Sequence, residues 1–335
     1  MFLPYSWILD SNPIDSFFQG LVGASGISVL CNLMRVYHFT QTISDSESET
    51  ESKPRSSSPD NPLRGNWKDV LQFWSLAVLL SLVGSRVSSL IVLEFSLRVV
   101  SAWVSAGLDA NGRGLDRLLI QSQFSLGCGL TCTLVFLHQG APHSSLSLFL
   151  AAALSWALSS ASYDLWSHVA RLYPLHSTER YCGKCINLLT SGHTILASLQ
   201  KAVILAFALA TVASTTTIYD HFLSQKDALK FWTPLTLCYT MLVVYIQEDQ
   251  NRHTGTEALM HTVLLRLGAL LVLMLTVGDW SDVLHILITF LGEAVCLLPS
   301  QDLLQAALKD EEDTSLSKSS HKTRERTKKT SSDHN

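Results

Sequence analysis

Apolar residues gather along the chain in eight stretches between Phe17 and Leu298. Each is roughly 20 residues long, the length a helix needs to cross about 30 Å of hydrocarbon. They run Phe17 to Val36, Leu71 to Leu93, Leu118 to Leu137, Leu146 to Tyr163, Lys201 to Tyr219, Leu229 to Gln247, Leu259 to Gly278 and Val283 to Leu298. Polar and charged residues collect between them. Lipid offers no partner to a backbone N–H or C=O, so stretches of this length cross as helices that satisfy their own backbone. The pattern predicts an all-α, polytopic helical membrane bundle with about eight transmembrane helices. Aromatic residues such as Phe73, Trp74, Tyr163, Trp166 and Tyr219 stand at the predicted edges, where amphipathic rings anchor a helix at headgroup level.

Three stretches depart from this spacing. From Leu71 to Ala106 the chain stays apolar for about 54 Å of helix, too long for one crossing. A crossing to Leu93 followed by an interfacial helix from Glu94 to Ala106 is expected, ending before Asp109, Asn111 and Gly112. Ile186 to Tyr219 is also long and carries His193 and Lys201, so its first half is expected along the membrane surface and its second half across it. A helix beginning at Pro234 would reach only about 21 Å by Gln247, so a start near Asp227 with a kink at Pro234 fits better.

The predicted organisation is a short N-terminal segment, 1–16, a helical transmembrane domain, 17–298, and a C-terminal tail, 299–335. Thr40 to Asn66 and Asp310 to Asn335 are rich in Ser, Glu, Lys and Pro, with too little apolar surface to offset the entropy of ordering, and are expected to be disordered. No removable signal peptide is read before Phe17, so the first run is taken as a retained anchor. With eight crossings, Lys and Arg are more numerous in the connections on the side that holds both termini, which favours cytosolic termini. The acidic setting of Ser44, Ser46 and Ser48 in the first connection would suit cytosolic kinases and argues for the opposite sidedness.

Composition agrees: 47% of residues are hydrophobic and 16% charged, and the formal net charge is only −4. The acidic cluster Asp45 to Glu51 and the basic stretch His321 to Lys329 carry no interleaved aromatics on which bases would stack, so nucleic acid is not an expected partner. The lipid bilayer is the implied partner, with other membrane proteins as candidates, and no cofactor is expected. Motifs of the His-Glu-x-x-His, Walker and Gly-x-Ser-x-Gly kinds are absent. The expected role is a scaffold or accessory subunit without catalytic activity. A transporter or channel for a small solute is the alternative, and an intramembrane enzyme is less favoured.

Of seven cysteines, only Cys182 and Cys185, in Tyr-Cys-Gly-Lys-Cys, have a spacing with metal or redox precedent, and His176 and His193 flank them. A structural zinc site wants four ligands, usually from a second pair that this chain lacks, and a redox pair would normally sit in a βαβ setting. Two loop thiols at a helix start, placed for palmitoylation, is the favoured reading. On the third segment Gly127 and Gly129 lie beside Cys128 and Cys132, and Gly20, Gly23 and Gly26 repeat on the first. Small residues let helices approach closely, so both read as packing faces, with a narrow polar lining involving Gln121 and Gln123 as the alternative for the third.

Charges at membrane depth single out candidate residues, because each costs at least ~2.5 kcal/mol at the bilayer centre. Arg86, Arg266 and Glu293 qualify, with Gln121 and Gln123 as further intramembrane polar groups. Arg86 is expected to reach back to the headgroups rather than meet a substrate. Glu94 and Arg98, four apart, are expected to form a local pair at the interface. The last two segments are joined by a short turn, and Arg266 and Glu293 lie about 18 and 15 Å from it. An ion pair between them is therefore expected, against the alternative that each meets another partner or a wet cavity.

Five phrases, taken in order, closely resemble the transmembrane protein 82 family. They are Val83 to Arg98, the Ser125 to Cys132 octapeptide, Gln-Gly-Ala-Pro-His from Gln139, Arg-Tyr-Cys-Gly-Lys-Cys from Arg180 and Phe-Trp-Thr-Pro-Leu-Thr from Phe231. The resemblance spans Phe17 to Leu298 and implies a multi-pass membrane protein. It brings no activity, substrate or catalytic residue with it.

Overall fold

Asn12 and Pro13 open the first helix as its chemistry requires. Pro13 gives up no useful N–H at the first helical position, the Asn12 carbonyl accepts from Ser16 N–H at 3.1 Å, and Asp15 complements the helix N-terminus. The computed structural model describes residues 12–48, 66–106, 118–138, 144–176, 182–221, 256–277 and 280–301, together with Leu242, Tyr245, Ile246 and Leu303.

In chain order the described helices are α1 (Pro13–Ser48), α2 (Asn66–Leu82), α3 (Ser85–Ala106), α4 (Gln123–His138), α5 (Ser144–His176), α6 (Gly183–His221), α7 (Thr256–Val277) and α8 (Trp280–Leu297). A 3₁₀ turn, Leu298–Ser300, follows α8. The all-helical class holds throughout the described residues. Among the described residues, four helices are long and apolar enough to cross a membrane, or five if the bent pair α2 and α3 forms one span. The predicted count of about eight is not reached among the described residues. Helix α4 and the apolar core of α7 are shorter than a full span, and the expected segment Leu229 to Gln247 lies outside the described residues apart from Leu242, Tyr245 and Ile246.

Helix α4 is the centre of the bundle, with α1, α3, α6 and α8 packed around it. Its small residues make this approach feasible. A methyl added at Gly127 would stand 2.8 Å from Ile27 Cδ1 of α1 and 3.0 Å from Leu80 Cδ1 of α2. The packing reading of the glycine-rich faces of α1 and α4 therefore holds. Lipid-facing surface falls to α5 and α6, whose apolar stretches are only 22% and 11% buried and which expose Leu146, Leu154, Leu205 and Val212.

Four boundaries differ from expectation. The run from Leu71 does not continue to Leu93: it breaks at Val83 and Gly84, where α2 and α3 turn by 108°. The missing side chain of Gly84 leaves room for the His285 ring beside the bend, since a methyl there would meet the imidazole at 3.1 Å. Second, Glu94 to Ala106 does not form a separate interfacial helix but continues α3, whose residues Val87 to Phe95 are all buried. Third, α6 runs unbroken through Lys201, because its sequence has no proline to end the helix between a surface half and a crossing half. Helix α1 likewise passes Thr40 and reaches Ser48, into the stretch expected to be disordered. The remainder of that stretch and Asp310 to Asn335 lie outside the described residues.

Candidate functional site

Two arginines and two glutamates meet in the interior where α3, α7, α8 and the start of α4 converge. Arg266 on α7 donates from Nη1 to Glu94 Oε2 at 3.0 Å and from Nη2 to Glu293 Oε1 on α8. Arg266 and Glu94 are 1% exposed and Glu293 2%. Arg98, one turn beyond Glu94 on α3, holds its Nε 3.8 Å from Glu94 Oε1 and donates from Nη1 to Gln121 Oε1 at 3.0 Å. Its guanidinium lies 4.9 Å above the Phe95 ring.

Local structure explains the convergence. Helices α7 and α8 follow each other closely in sequence and pack together, which brings Arg266 and Glu293 into contact. The bend at Gly84 redirects α3 into the core, where Glu94 and Arg98 share one helix face. Two guanidiniums and two carboxylates cancel in formal charge. This is how four charges remain buried, since an unbalanced buried charge would carry an uncompensated desolvation cost. The void beside the cluster, bordered by Thr262 and Leu297, measures about 10 Å³. That is about the room one water needs.

The expected pair of Arg266 with Glu293 is present, but it is one edge of a larger network. Glu94 is its second carboxylate, which sequence reasoning had placed at the interface. The misplacement has a physical source: an i,i+4 Glu–Arg pair looks self-sufficient, and nothing in the sequence announces the bend that buries it. Gln121 joins the cluster through Arg98. Gln123 does not, and instead exchanges hydrogen bonds with Ser300 at 3.0 and 3.2 Å, tying α4 to the 3₁₀ turn. Arg86, at the start of α3, pairs with Asp282 at the start of α8 at 3.3 Å. It lies apart from the cluster, and a protein carboxylate meets it where headgroups were expected.

A separate cavity of about 430 Å³ lies between α1, α2 and α5 and contains none of the five predicted residues. Its floor is aromatic, with the Phe73 and Trp156 rings edge to face at 5.3 Å and Trp74 5.5 Å from Trp156. Asn32, Arg35, Asp69 and Tyr163 supply polar groups. Asn32 donates to Ser162 Oγ at 3.1 Å, and Arg35 to the Pro299 carbonyl at 3.3 Å.

The family model described as Transmembrane protein 82 matches residues 14–318. No solved structure matches the chain.

Proposed function

The chain belongs to the transmembrane protein 82 family, and from that premise we propose that it serves as a membrane scaffold or accessory subunit without catalytic activity. The balanced, closed charge cluster carries this reading. Ionisable groups that serve a transport path face a water-filled space or exchange partners as cargo passes. Here Arg266 is held by two carboxylates, and the adjoining void is only about 10 Å³. Such a network acts as an internal cross-link between helices distant in sequence. The apolar outer faces of α5 and α6 then remain for lipid or for other membrane proteins.

The finer topology belongs to the same proposal: eight crossings, with α2 and α3 as one broken span and both termini in the cytosol. Reconstitution into vesicles with a panel of small solutes tests the role. A scaffold gives no flux above empty vesicles, whereas flux that Arg266→Ala or Glu293→Ala abolishes would overturn the reading.

A second reading rests on the 430 Å³ cavity, whose aromatic floor and polar groups suit a small amphipathic solute. Solute binding that Trp156→Ala weakens, in a protein whose thermal midpoint is unchanged, would favour it.

A further inference from the structure

His168 near the end of α5, Cys182 just before α6 and Cys185 in the first turn of α6 bring three metal-ligand atoms together, all within 4.8 Å of one another. Nε2 of His168 lies 3.2 Å from the Cys182 sulfur and 3.7 Å from the Cys185 sulfur, and the two sulfurs are 3.4 Å apart. A tetrahedral zinc ion bound at about 2.3 Å by sulfur and about 2.0 Å by nitrogen would set the sulfur–sulfur edge at roughly 3.8 Å and the sulfur–nitrogen edges at roughly 3.5 Å. The three atoms thus already stand close to three corners of such a site. A disulfide would need the sulfurs at about 2.05 Å, which they are not.

We propose that His168, Cys182 and Cys185 form a zinc site that joins the end of α5 to the start of α6, with the fourth position open to water or another donor. The helix start builds it. The Cys182 carbonyl accepts the first helical hydrogen bond, from Ile186 N–H at 3.0 Å, and the three-residue spacing then turns both sulfurs to one side. The backbone N–H of Cys185 bonds to the Cys182 sulfur and so helps to fix its position. Val36, Val169 and Leu188 make an apolar floor around Cys185.

Two thiolates and an imidazole suit a borderline-soft ion and not calcium or magnesium, which take oxygen ligands. On binding, each thiol releases its proton to solvent and the neutral imidazole donates the Nε2 lone pair. The burial of Cys185 also argues against acylation there, the reading its sequence position had suggested. His168 went unnoticed in the sequence because it precedes the cysteine pair on a different helix. The flanking histidines that drew attention, His176 and His193, have side chains outside the described residues.

The test uses the full chain, purified in detergent under reducing conditions, with zinc content measured by mass spectrometry and with cobalt as a spectroscopic stand-in. One zinc per chain and a thiolate-to-cobalt absorption band of tetrahedral intensity are expected. His168→Ala and Cys182→Ser should each weaken zinc binding by more than about tenfold. A readout without variants guards against misfolding: added zinc should slow alkylation of both Cys182 and Cys185 in the unaltered protein. Absence of the cobalt band, zinc-insensitive alkylation of both thiols, an acyl group on either, or folded variants that hold zinc as tightly as the parent would each overturn the proposal.

Discussion

Replacing Arg266 with leucine removes the central cation of the buried cluster and leaves Glu94 and Glu293 buried with only Arg98 to balance them. Arg266 touches Glu94 at 3.0 Å and also bonds Glu293, while Arg98 approaches Glu94 at only 3.8 Å. At an effective dielectric of about 20, a charge pair about 4 Å apart interacts by roughly 4 kcal/mol. Breaking a buried pair by removing one partner likewise costs about 3 to 5 kcal/mol, mostly because the survivor is uncompensated. Arg266→Leu is therefore expected to destabilise by that amount. The double variant Arg266→Leu, Glu293→Leu restores neutrality, with Arg98 left to balance Glu94, and should regain at least ~2 kcal/mol of the loss. Glu293→Leu alone leaves an extra guanidinium and should resemble the arginine variant. The assay is a double-mutant cycle on unfolding free energy in detergent, with helicity checked by circular dichroism. If the single effects add to within about 0.5 kcal/mol, the charge-balance reasoning is wrong.

Other consequences follow from packing and topology. A methyl at Gly292 would overlap the fully buried Phe124 ring, so Gly292→Ala should cost about 1 to 3 kcal/mol by overpacking. Gly268→Ala, with nothing within 4 Å of the added carbon, should instead stabilise α7 by about 0.5 to 1 kcal/mol, and equal thermal shifts for the two would refute this contrast. Asn32→Leu removes the hydrogen bond to Ser162 between α1 and α5 and should lower stability by about 0.6 to 2 kcal/mol, with Ser162→Ala adding little once Asn32 is gone. Tags at Met1 and Asn335 should be equally accessible to protease from the cytosolic side, and opposite protection would mean an odd number of crossings. Deleting Asp310 to Asn335 should leave the thermal midpoint unchanged.

Much of this protein was legible in its sequence because the bilayer leaves few choices. An apolar run of sufficient length must be a helix, and a short turn between two of them makes a hairpin, so the all-helical class and the equal depths of Arg266 and Glu293 follow from one-dimensional spacing. The glycines that bring α1 and α4 together were visible for the same reason: a missing side chain is a local property. Rotational facing and bends are not. Whether Glu94 meets lipid headgroups or Arg266 depends on the 108° turn at Gly84, against which His285 of another helix packs. The continuity of α6 through Lys201, the cavity walled by α1, α2 and α5, and the meeting of His168 with Cys182 and Cys185 likewise depend on which faces of separate helices are turned toward each other. Periodicity along one helix sets which residues share a face, but only packing against the others decides what that face meets.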